Sequence, residues 1–119
     1  MLEISIAARD ELALQAWLER TREFVVEQSP DFARCDPEFQ RDFVAVQLEQ
    51  VAEYGLESEE SLPTLALTSW YLGLAHFSQL PEFAEILQRP GSESRRLSSL
   101  REMTECELAH RARANAALH

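Results

Sequence analysis

The sequence predicts an all-α fold, a single-domain bundle of about five helices over residues 1–119 with a central apolar helix near residues 62–79. Three observations predict it. Apolar residues recur at helical spacing along most of the chain. Segment starts combine a capping side chain with a proline in the first turn, as at Asp36-Pro37 and Ser61 with Pro63. No stretch alternates convincingly with period two, apart from a short extension at "LEISI", residues 2–6. A chain of 119 residues, 45% hydrophobic, buries roughly 65% of its unfolded surface on folding, enough for a core without disulfide or metal staples.

From about Arg9 to Gln28, Leu14, Trp17, Leu18, Phe24 and Val25 mark one face of a first amphipathic helix. Glu19, Arg20, Arg22, Glu23 and Glu27 lie largely on the other, and "SPD" ends it. In "CDPEFQRDFVAVQLEQVAEYG", Asp36 is placed to cap, Pro37 fits the first helical position and Gly55 fits the stop. Phe39, Phe43 and Val46 beside Val44, Leu48 and Val51 form the broad inward face expected of this second helix.

The acidic turn "LESEES" leads into a third helix, with Ser61 as cap, running to about Gln79. "PEFAEIL" makes a short fourth helix stopped by "RPG". A last helix starts at Ser92 or Ser94 and runs nearly to the end, with Leu97, Leu100, Thr104 and Leu108 as its inner stripe.

The third helix raises the functional question, because residues 62–81 carry no charge. Its length approaches that of a membrane span, but Thr64, Thr68, Ser69, His76, Ser78 and Gln79 would enter lipid, and the nearest flanking charges are acidic. Leu65, Leu67, Trp70, Tyr71, Leu72, Leu74 and Phe77 point in nearly every direction of a helical projection, which predicts a helix surrounded by others. Gly73 in mid-helix costs roughly 1 kcal/mol relative to alanine, which predicts a close approach by a neighbour there. Where other helices leave it uncovered, Trp70, Tyr71 and Phe77 are the candidate anchors for a protein partner.

Charge excludes further classes. The formal net charge is −10; residues 1–62 hold 15 acidic and 5 basic side chains, whereas residues 63–119 hold 6 of each. Such a field repels phosphate backbones, so no nucleic-acid partner is expected. It suits solubility and the steering of a basic protein, with Glu57, Glu59 and Glu60 as candidate partner-binding acids. All 11 basic residues are arginine. Cys35 and Cys106 lie 71 positions apart with no CxxC, and "MLEISIAARDE" has no basic region followed by an apolar run, so the expectation is a reduced, cytoplasmic chain.

"ECELAH" tempts with Glu107 and His110 at i, i+3 and Cys106 and His110 at i, i+4. A helical di-iron site needs two ExxH motifs and two further carboxylates, and a tetrahedral zinc site would have to add Cys35, His76 or an Asp. No local feature activates Cys106 as a nucleophile, the acids fall mostly on solvent faces, and three glycines do not make a phosphate loop. No catalytic residue, metal or cofactor is assigned.

Residues 52–87, "AEYGLESEESLPTLALTSWYLGLAHFSQLPEFAEIL", resemble small helical accessory or co-chaperone-like proteins encoded beside type VI secretion effectors and spike proteins. In that pattern a helix ends in Tyr-Gly, an acidic turn follows, then an apolar helix with a central glycine and a late aromatic, then a segment ending Ile-Leu. Tyr54, Gly55, Glu59, Gly73, Phe77, Ile86 and Leu87 occupy those places, while Phe83 stands where the pattern usually has tryptophan. The resemblance implies a non-catalytic, protein-binding bacterial accessory whose partner is an effector or its adaptor chaperone. An immunity protein that neutralises a toxin is the alternative, and a metal-dependent helical enzyme the third reading. A homodimer stays open, and neither a membrane nor a nucleic acid is an expected partner.

Overall fold

The computed structural model describes residues 10–117. Every regular element among them is helical: α1 (Glu11–Gln28), α2 (Pro30–Ala33), α3 (Pro37–Glu53), α4 (Ser61–Leu72), a 3-10 turn (Phe77–Gln79), α5 (Pro81–Gln88) and α6 (Glu93–Ala117). The all-α class is as the periodicity predicts. The extension expected at residues 2–6 lies outside the described residues.

Helix starts follow the capping chemistry. The Asp10 carboxylate accepts from the Ala13 amide at 2.7 Å, the Asp36 carboxylate from the Glu38 amide at 2.8 Å, and the Ser92 hydroxyl from the Arg95 amide at 3.2 Å. "SPD" does more than end α1. Ser29 closes that helix and opens α2, its hydroxyl accepting from the Phe32 amide with Pro30 at the first position. Ser61, expected as a cap, is instead the first residue of α4 and donates its hydroxyl to the Ser58 carbonyl at 2.7 Å.

The largest departure is in the uncharged stretch. The helix expected to reach Gln79 ends at Leu72, because Gly73 adopts φ +67°. Leu74 N–H returns to the Ser69 carbonyl at 2.9 Å and Gly73 N–H to that of Trp70 at 3.3 Å, the paired bonds of a Schellman stop. The same motif ends α3, where Gly55 has φ +65°, Leu56 bonds to Val51, and Gly55 to Ala52. Gly73 therefore marks no close helix approach; a Cβ there would meet nothing within 4 Å. Nor is α4 covered all round: Leu62, Leu65, Ala66, Ser69 and Leu72 are buried, while Leu67 and Trp70 are half-buried and Tyr71 is exposed.

Contacts gather the chain into two units, one up to Leu67 and one from Thr68 onward. In the first, α1 packs on α2 and α3, and Trp17, Val25, Phe32, Val44, Val51 and Leu56 are buried. The Trp17 indole N–H donates to the Glu59 carbonyl at 3.1 Å, tying the acidic turn to α1.

In the second unit, α5 packs on α6 and on the 3-10 turn, and Phe77, Phe83, Ile86, Leu87, Leu97 and Leu100 are buried. Two arginines of α6 satisfy carbonyls that helix ends leave open. Arg111 donates to Leu72 at the end of α4 at 3.0 Å, and Arg96 to Leu87 near the end of α5 at 2.8 Å.

Candidate functional site

Helix α3 buries only part of the face its apolar residues suggest. Phe39 is 48% exposed and Val46 43%, with Phe43 half-buried, while Val44 and Val51 share the interior with Gln40, Gln47 and Gln50. Of the expected inward face, Val44 and Val51 are buried as expected and Phe43 and Leu48 half-buried, while Phe39 and Val46 are corrected to solvent; hydrogen bonding explains why glutamines stand inside. The Gln40 amide donates to the Phe32 carbonyl at 2.8 Å and the Cys35 carbonyl at 3.1 Å, and its carbonyl accepts from Arg22 at 2.8 Å. One side chain thus ties together main-chain acceptors at the end of α2 and in the turn that follows, adding to the bond that the Phe32 carbonyl already accepts from the Cys35 amide at 3.0 Å. Gln50 donates to the Gln47 carbonyl at 2.7 Å.

Anchoring these glutamines inward turns the neighbouring row outward. Phe39, Phe43 and Val46, spaced i, i+4 and i+7, lie along one edge of the helix. Phe43 sets its edge against buried Phe32 at a centroid distance of 5.7 Å and 63°, and Phe39 stacks on Phe43 at 6.3 Å and 28°. A chain of three rings thus runs from the core to solvent. On a helical projection the next row outward is acidic, formed by exposed Glu38, Asp42 and Glu49; Arg41, the one basic residue of α3, lies beyond it.

The residues singled out from sequence are distributed differently. Tyr71 is 40% exposed and Trp70 half-buried, adjacent on the last turn of α4, whereas Phe77 is 0% exposed and offers no side-chain surface, a correction to its place among the anchors. Glu59 and Glu60 are exposed and Glu57 partly so, all in the unit that ends at Leu67, while the three aromatics belong to the other. Glu59 pairs with Arg20 at 3.6 Å across solvent-facing side chains. On α1, the Arg22 guanidinium grips the Glu19 carboxylate and holds its pKa below the usual 4.5, chiefly through their hydrogen bonds.

The side chains weighed for metal chemistry have other partners. Glu107 pairs with Arg111 at 3.0 Å, Cys35 Sγ lies 3.5 Å from the Asp31 carbonyl, and His76 Nδ1 accepts from the Ser78 amide at 3.0 Å to cap the 3-10 turn. Cys106 and His110 are exposed. Among the described residues, no three His, Cys, Asp or Glu side chains gather as a metal ion would need, and no helix is long and apolar enough to cross a membrane. A hollow of about 80 Å³ beside Arg89, Arg95 and Arg96 is well below the roughly 300–1,000 Å³ of small-molecule pockets.

The feature that stands out is therefore a surface, the ring-and-valine row of α3, to which hydrophobic periodicity gave the wrong side. One signal in the sequence points to it: Gln40, Gln47 and Gln50 repeat at i, i+7 and i+10 on one face, a polar stripe without charge. No protein-family model, curated protein or solved structure matches the chain.

Proposed function

We propose that this chain is a non-catalytic accessory that works by binding another protein in the bacterial cytoplasm, as a co-chaperone or adaptor partner in loading a type VI secretion effector. The observation that carries the binding reading is the solvent-facing row of Phe39, Phe43 and Val46, an apolar surface rooted in the core and bordered by charge. Interfaces concentrate their energy in such rigid aromatic anchors. Tyr71 and Trp70 on α4 offer a second aromatic position of the same kind. The secretion context rests on the resemblance of residues 52–87, with its Tyr-Gly stop and acidic turn; the glycine it places centrally ends α4 instead.

The immunity alternative draws on the exposed carboxylates of Glu59 and Glu60, which suit a toxin site that handles polyanions. The two roles separate on charge. For an accessory, reversing Glu57, Glu59 and Glu60 to Arg slows association and changes its salt dependence while the complex stays isolable in moderate salt. Trp70→Ala weakens it by about 2 kcal/mol or more. If the reversal alone destroys the complex, and cells making a neighbouring toxin die without this protein, the immunity role replaces the accessory one.

A further inference from the structure

We propose that the α3 row receives a basic amphipathic helix of the partner, one whose apolar stripe seats on Phe39, Phe43 and Val46 while a flanking row of Lys or Arg meets Glu38, Asp42 and Glu49. This deepens the accessory reading and rests on it. The two rows run side by side on α3: the apolar row spans two turns, about 10 Å from Phe39 to Val46, the length of an i, i+3, i+4, i+7 stripe, and the acidic row spans three turns, about 16 Å from Glu38 to Glu49. Apolar contact supplies the affinity. The acidic border supplies orientation and selects the sign of the partner's charge, since like charges set against it are repelled.

Charge also decides between occupants. A second copy of this chain would bring the same acidic row to the interface, and a helix flanked by acids would meet repulsion along its length. A basic stripe alone satisfies both rows. A nucleic acid fails on the apolar row and on the charge together.

The test uses the full chain and three synthetic peptides: a helical Leu/Lys peptide with leucines on one face, its Leu/Glu counterpart, and a Leu/Lys peptide of the same composition with the leucines scattered. Binding is read by fluorescence anisotropy at two ionic strengths. The amphipathic Leu/Lys peptide binds saturably, the other two at least about tenfold more weakly, and added salt weakens the complex as the Debye length shrinks. Phe39→Ser with Val46→Ser reduces affinity by about tenfold or more. Glu38→Gln with Asp42→Asn and Glu49→Gln removes most of the salt dependence, whereas Glu82, Glu102 and Glu105→Gln, an equal charge removed elsewhere, leaves it. Circular dichroism and the unfolding midpoint confirm that each variant is folded.

Equal binding of the scattered peptide, or affinity indifferent to the α3 substitutions in folded protein, overturns the proposal in favour of diffuse charge attraction. A chain that dimerises through Phe39 and is dispersed by Phe39→Ser overturns it in favour of a second copy. If the chain isolated from its host carries a protein partner that the α3 variants retain, this surface is wrong and the accessory reading stands. Failure of that reading itself shows as the absence of any protein partner.

Discussion

Gly73 and Gly55 occupy the same left-handed position after a helix, each followed by a buried leucine, Leu74 and Leu56. Strain at such a site comes from the backbone, so its cost is set by the presence of a Cβ more than by the size of the side chain. Gly73→Ala and Gly73→Leu should each lower stability by about 1–2 kcal/mol in urea unfolding. A leucine variant far worse than the alanine one would restore the crowded helix interface that the sequence suggests. Gly55 was legible because "YGLESEES" leaves an amphipathic pattern for an acidic turn. Gly73 was not, because apolar residues continue past it; Leu74 and Phe77 are buried as the sequence implies, but beyond the helix. Hydropathy reports burial, and only the dihedral angle reports where the helix stops.

A second residue-scale consequence concerns Glu19. Its depressed pKa means the folded state holds that proton less readily than the unfolded chain. The contribution is therefore present above the unfolded value near 4.5 and is lost as pH falls through the folded one. Because the carboxylate is largely solvated, it is worth at most about 1 kcal/mol. Glu19→Gln should lower the urea midpoint slightly at neutral pH and leave it unchanged once the pH lies below both the folded and the unfolded pKa. An equal loss at both pH values would assign the effect to packing instead.

At the scale of elements, α3 shows why a correct helix can be given too broad an inward face, Val44 and Val51 being buried but Phe39 and Val46 exposed. Its Asp36 cap, Pro37 start and Gly55 stop are local chemistry and are read directly from the sequence. Its orientation is tied to the turn between α2 and α3, where the Gln40 amide donates to the Phe32 and Cys35 carbonyls. That tie is tertiary and invisible to periodicity. Gln40→Ala should cost about 1–3 kcal/mol by removing the buried hydrogen bonds that the amide makes to the Phe32 and Cys35 carbonyls and to Arg22. Val44→Ala should cost a similar amount through lost burial, whereas Val46→Ser should change stability by no more than about 0.5 kcal/mol. Urea midpoints of the three variants check the face directly; a large loss at Val46 would return Phe39 and Val46 to the core. The arginines of α6 make the converse point. Arg96 and Arg111 cap α5 and α4, roles that composition does not reveal.

For the whole molecule, 15 of the 21 acidic residues fall within the first 62 positions, where α3 and its exposed row also lie. Composition made the charge asymmetry plain, and the basic partner is the proposal drawn from it. It could not place the contact, since the aromatics it favoured, Trp70, Tyr71 and Phe77, are half-buried, exposed and buried in turn. On the proposed reading, binding through rigid aromatics beside acids forms a complex of fixed composition. The most direct measurement is native mass spectrometry of the chain isolated from its own host in moderate salt. A single protein partner at constant stoichiometry, lost on Phe39→Ser with Val46→Ser in a chain that still folds, is the predicted result. A chain that emerges alone under the same conditions, at concentrations matching those in the cell, would contradict it.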